Sequence, residues 1–133
     1  MNKVVLLALI STLSASPLWA DHFKGHVDVK VGELSPRAAA GQTIFNQNCG
    51  ACHGIDGEGT HAGPPLIHDI YNPGHHGNGA FSRAVTKGVQ QHHWPYGNMP
   101  AQPEIGFSDM AGIVSFIREV QKQNGIVKKV HNM

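Results

Sequence analysis

Both cysteines of the chain lie in Cys49-Gly50-Ala51-Cys52-His53, three positions apart, with a histidine directly after the second. This spacing matches the pattern in which two thiols add across the vinyl groups of a porphyrin and the adjacent imidazole ligates its iron. The reason is mechanical. At the end of a helix, residues three apart share a face, so both sulfurs reach one porphyrin edge and the next residue turns inward beneath the ring. A redox dithiol of the thioredoxin kind, or a plain disulfide, would use the same two cysteines. A thioredoxin site, however, follows a strand in a βαβ unit, and no such pattern lies upstream. The expectation is one haem c, attached through Cys49 and Cys52 and ligated on one side by His53.

Ten histidines in 133 residues widen the chemistry. His61, His68, His75, His76, His92 and His93 fall in two Gly- and Pro-rich stretches, 54–79 and 90–107, and four of them form the doublets His75-His76 and His92-His93. Neighbours in an extended loop point in opposite directions, so each doublet is expected to offer one ligand at most. Two roles compete. With Trp94 and Tyr96, some of these rings could hydrogen-bond the haem propionates, anions that need partners when removed from water. Alternatively, one histidine of each doublet and His68 could bind copper or zinc, with Asp69 as the outer partner of a ligand ring. His22 and His26 read as surface residues without a role.

The elements that must position these groups are few. One modest domain is all that 133 residues allow, and 41% hydrophobic residues with sixteen Gly and eight Pro imply a small core and much loop. Ten Lys and Arg against nine Asp and Glu leave no basic block for nucleic acid. Residues 1–20 have the layout of a secretory signal peptide, with Lys3, an apolar run and Pro17-Leu18-Trp19-Ala20, and cleavage is expected after Ala20. The apolar run is too short to span a bilayer, so the mature chain is expected to lack a transmembrane segment and to be exported, to the periplasm. Without Lys3 it is formally neutral, which leaves docking to a small apolar patch with a polar rim.

Residues 21–34 form a leader in which Val27, Val29 and Val31 alternate in a strand-like way. Ser35 and Pro36 predict a helix start, running to about Cys49. The 26 residues from Gly54 to Gly79 are too long for an unorganised loop in a compact domain, which itself points to a bulky ligand. A short helix is expected from about Gly79 to Lys87 with Phe81, Ala84 and Val85 on one face. The last helix, capped by Ser108 and closed by Gly125, carries Met110, Ile113, Val114, Ile117 and Val120 at helical spacing. Residues 35–126 constitute the expected domain and 127–133 a tail.

From Ala39 to about Ile126 the sequence resembles the class I cytochromes c. The resemblance is carried by Gly41 and Phe45, the run Cys49 to His53, Gly63-Pro64-Pro65-Leu66, Asn98-Met99-Pro100, and Phe116 on the final helix. It implies a mainly α, small cytochrome c fold: three to four short helices around one covalent haem, the N- and C-terminal helices crossing at Gly41, Phe45 and Phe116. It further implies that the Pro64 carbonyl fixes the His53 tautomer and that Met99 is the second axial ligand, with His92 or His93 as the alternative. Met110 reads as core, Met133 lies at the terminus, and Met1 is removed with the signal. The implied function is a monohaem electron carrier between redox partner proteins, monomeric or a subunit of a complex, and not an enzyme. The alternatives are a cytochrome subunit of a larger dehydrogenase or oxidase, and a haem enzyme or sensor with an open iron position.

Overall fold

In a computed structural model of the chain, residues 27–130 are described. Residues 1–26, which hold the expected signal peptide, His22 and His26, and residues 131–133, with Met133, lie outside them. Four α-helices form the frame: α1 (Pro36–Asn48), α2 (Gly50–His53), α3 (Asn78–Lys87) and α4 (Phe107–Gln123). Among the described residues there is no β-strand, only the isolated bridges Thr60 to Gly63 and Val89 to Met99. No described helix is long and apolar enough to cross a membrane.

Helix α1 starts as its sequence dictates. The Ser35 hydroxyl accepts from the Ala38 amide at 3.2 Å, and Pro36 occupies the first turn, where its missing N–H costs nothing. The start of α4 differs from expectation. Its cap is Gly106 rather than Ser108, which already lies inside the first turn, and no side chain caps the end. At its other end, the Ile126 amide reaches the Gln121 carbonyl (2.9 Å) and the Gly125 amide reaches Lys122 (3.1 Å). This is the left-handed closure for which Gly125, at φ 77°, is suited.

Helices α1 and α4 cross at backbone contact. A Cβ on Gly41 would stand 2.0 Å from the Gly112 carbonyl oxygen, so the crossing tolerates no side chain there. Phe45 and Phe116 fill the next layer, with ring centroids 5.5 Å apart at 48°, and both are almost fully buried. Ile113, Ile117 and Val120 complete that core.

The valine alternation upstream produces no strand. Val29 and Val31 pack inward while Asp28 and Lys30 face out, but beyond one bond from Val27 N to Glu58 O (3.1 Å) the segment bonds to side chains of α4 and its C-cap Asn124, not to another strand. The Asn124 side chain accepts from the Lys30 amide (3.0 Å) and donates to its carbonyl (2.7 Å), Gln123 accepts from Gly32 (2.7 Å), and Glu119 accepts from the Ser35 amide (2.9 Å). Period-two burial needs a surface to lie on, and here a helix supplies it.

The stretch 54–79 is not structureless either. It holds 3-10 turns at Ile55–Gly57 and Asp69–Tyr71 and leads into α3 at Asn78. Helix α3 buries Phe81 and Val85 and stops at Gly88, whose φ of 75° admits glycine readily.

Candidate functional site

Local geometry puts the two thiols one turn apart. The Cys49 amide closes α1 on Phe45 (2.7 Å), and α2 begins directly, so Cys49 and Cys52 occupy i and i+3. The exit from α2 is pinned twice. Asp56, held at φ 56°, accepts from Gln42 (2.8 Å) and Asn46 (2.9 Å) of α1, and the Thr60 hydroxyl donates to the Cys52 carbonyl at 2.6 Å. Gly63 lies so close that a Cβ would come within 2.8 Å of that same carbonyl.

His53 Nδ1 is 2.9 Å from the Pro64 carbonyl oxygen. A carbonyl only accepts, so Nδ1 carries the proton and Nε2 of the neutral ring keeps its lone pair. Burial pushes the His53 pKa below its ordinary value, and the Pro64 bond opposes that only in part. The ring is thus kept in the state a metal ligand requires.

Cys49, His53 and Met99 line one cavity of about 700 Å³, with apolar walls that include Phe45, Leu66, Phe81, Val85, Met110 and Ile113. This size lies within the range of cofactor pockets. Cys52 is exposed and stands outside the wall. Burial, then the neighbouring Cys52 and Glu104, push the Cys49 thiol up to about 11. A dithiol oxidoreductase depresses the pKa of its attacking cysteine, so Cys49 has the opposite character.

Met99 reaches the cavity because the chain is pinched at its base. Val89 and Met99 exchange both backbone hydrogen bonds at 2.9 Å, turning 90–98 into a closed loop. Inside it, the Asn98 side chain accepts from Gln91 N (2.9 Å) and the Gln91 side chain accepts from Gly97 N (2.6 Å). Met110 also faces the cavity, but from the buried stripe of α4, where only 6% of it is exposed.

Trp94, on the same loop, carries a buried Nε1 without an acceptor at hydrogen-bond geometry; its polar neighbour is the Tyr71 hydroxyl, which burial pushes up to about 12. An unsatisfied buried donor in a cavity wall suits an anionic group. Together, the apolar walls, the neutral imidazole, the thioether and this donor fit a haem with its propionates.

The histidines are arranged otherwise than the sequence suggests. His68 turns its Nδ1 to the Ile70 amide (3.2 Å) and packs edge-on against Trp94, with centroids 5.2 Å apart. Asp69 pairs with Lys129 of the tail and not with a histidine. His75, His76 and His93 instead bring one ring nitrogen each within 4.8 Å of one another. The expectation of one ligand per doublet therefore fails for His75-His76. Those residues sit in a tight turn, both amides bonding to the Asn72 carbonyl (3.1 and 2.9 Å), and alternation belongs to extended chain only.

Three residues that position this turn were missed in the sequence. Asn72, 6% exposed, accepts through Oδ1 from Gly74 N (2.8 Å), His75 N (3.2 Å) and Lys129 N (3.2 Å). Arg118 donates to the Tyr71 and His76 carbonyls, and buried Gln121 donates to Leu66 O (2.9 Å) and Tyr71 O (3.0 Å). The available signal was Gln121 itself, a polar residue four after Ile117 on an apolar face.

The cytochrome c family profile matches residues 38–121. Among solved structures, cytochrome CL from the marine methylotrophic bacterium Methylophaga aminisulfidivorans MPT aligns with a TM-score of 0.51 and 20% identity. The alignment covers 73% of this chain and 69% of that one, a likeness of fold. No curated protein matches.

Proposed function

Because the chain belongs to the cytochrome c family, whose members carry covalent haem c, we propose that it is a monohaem electron carrier of the periplasm. Haem c, when bound, supplies one iron that gains or loses a single electron. The observation that carries the reading is the His53 Nδ1 to Pro64 bond in a cavity that Met99 also lines.

In this reading Cys49 and Cys52 would hold the cofactor by two thioether bonds, each thiol adding its S–H across one vinyl group. His53 would present Nε2 to the iron, with the Pro64 carbonyl fixing its orientation. Met99, fixed by the Val89 pinch, would offer its sulfur to the iron, and a thioether ligand would favour the ferrous state. Phe45, Met110 and Ile113 keep the pocket apolar, and Trp94 Nε1 would be available to a propionate. With His53 and Met99 both available from the chain to hold the iron, neither oxidation state would need to rearrange. That suits a carrier rather than an enzyme, and redox proteins are its partners. A secretory signal at residues 1–20 accounts for export, and the chain works after its removal as residues 35–126 with a docked leader and tail.

The test is the spectrum of the purified, haem-loaded full chain. The oxidised form should show the weak far-red sulfur-to-iron charge-transfer band, and the reduced form should not bind carbon monoxide tightly. Tight carbon monoxide binding by the native protein would refute the two-ligand carrier and favour an open-site enzyme or sensor.

A further inference from the structure

The two loops that frame the cavity meet through imidazoles. His75 Nε2 and His93 Nε2 are 3.2 Å apart, and His76 adds a third ring nitrogen within 4.8 Å. Two ligand atoms on a tetrahedral zinc ion, at about 2.0–2.1 Å each, stand about 3.3 Å apart. The His75–His93 pair, hydrogen-bonded ring to ring, is thus already at the span of one coordination edge, and an ion would replace the proton that one ring donates to the other. The widest separation needs to close by only about 1.5 Å, within the reach of a side-chain rotation on an exposed loop.

His76 is oriented as a metal-bound imidazole is. Its Nδ1 lies 2.7 Å from the Ile70 carbonyl oxygen, which fixes the proton on Nδ1 and directs the lone pair of Nε2 outward. The turn beneath it is built into the fold by Asn72 and Arg118 and does not depend on the imidazoles for its shape. All three rings also line the haem-sized cavity, so a propionate and a metal ion would compete for the same nitrogens.

We propose that His75, His76 and His93 form a second metal site, taking one divalent ion of the zinc or copper(II) class, and that the ion fastens the Met99 loop to the 72–77 turn. Imidazole suits both ions, and the affinity order of first-row metals puts copper(II) above zinc. His93 is exposed, so water completes the tetrahedron. The site stands on these side chains and not on the carrier reading.

Haem-loaded full chain, stripped with a chelator, is titrated with zinc and separately with copper(II), and bound metal is counted by mass spectrometry. One ion per chain beyond iron is expected, tighter for copper, with nitrogen hyperfine structure in the copper electron paramagnetic resonance spectrum. H76A and H93Q should each weaken binding at least about a hundredfold, whereas H61A should leave it unchanged. Bound metal should also slow entry of external imidazole to the iron.

No stoichiometric binding, or binding that survives both variants because terminal histidines supply it, overturns the site. Loss of haem or of its spectrum in metal-free H93Q overturns it as well, since the ring would then be serving the cofactor. A chain that binds the ion as expected but carries no covalent haem leaves the site standing and removes the carrier reading.

Discussion

The α1–α4 crossing and the loop face spanning 54–106 stabilise the same molecule by different means. At the crossing, backbone meets backbone at Gly41 and Gly112, and Phe45 and Phe116 fill the layer beside them. On the loop face, hydrogen-bonded turns surround about 700 Å³ that the polypeptide does not fill. The difference teaches where each region obtains its cohesion. The crossing is complete as a protein core, whereas on the loop face the proposed haem would supply the remaining apolar contacts. In so small a domain, that would make haem part of the fold.

The largest effect should come from removing the attachment chemistry. Cys49→Ala with Cys52→Ala should abolish covalent haem and leave the chain poorly folded, as read by pyridine haemochrome assay and circular dichroism. A cooperatively folded apoprotein in normal yield would break the comparison.

Gly41→Val strikes the other region. Its side chain meets the Gly112 carbonyl, and overpacking of a closed site costs about 1–3 kcal/mol or more. The expected outcome is a lowered melting temperature of the haem-loaded protein, with the axial-ligand spectrum intact in the molecules that remain folded.

The two methionines sharpen the boundary between the regions. Met110→Ala should cost about 2–5 kcal/mol in denaturant titration, since the residue is buried, while keeping the sulfur-to-iron band. Met99→Ala should do the reverse, losing the band and lowering the potential with a smaller loss of stability. If Met110→Ala were the variant that lost the band, the ligand would be on α4.

The smallest effect lies at the docked leader. Hydrogen bonds from the Ser35 hydroxyl and amide hold the Glu119 pKa below its ordinary value. A carboxylate depressed on folding contributes stability that is present above its unfolded pKa and lost as pH falls through the folded one. Exchange protection of the Ser35 amide should therefore weaken on acidification below the usual glutamate range. Glu119→Gln should flatten that dependence, and an unchanged profile would show that docking rests on Asn124 and Gln123 alone.

Much of this was legible in the sequence because it depends on local spacing. Cys49 to His53 marks the proposed attachment site, Ser35-Pro36 the start of α1, and the Met110 to Val120 stripe the buried face of α4. The resemblance also anticipated the Gly41 and Phe45–Phe116 contacts and the Pro64 carbonyl on His53, both of which appear in the structure. The cap at Gly106 was not legible, since Ser108 is a good cap by type and only the chain path decides which residue leaves the helix.

What the sequence by itself determined is the chemistry available: one thiol pair with its imidazole, one extended methionine, and an excess of histidine on two loops. Which histidines meet was decided by tertiary structure alone. Asn72, Arg118 and Gln121 bend 72–77 into a turn that turns both rings of a doublet the same way, while the Val89–Met99 pinch carries His93 across to them. His68 and Asp69, adjacent in sequence and suited by type, are taken by Ile70 and Lys129. Ligand type is a property of residues, but convergence on a point is a property of backbone path, and that path is set by local bonds such as Val89–Met99 and Asn72–Gly74 together with hydrogen bonds between residues more than forty positions apart.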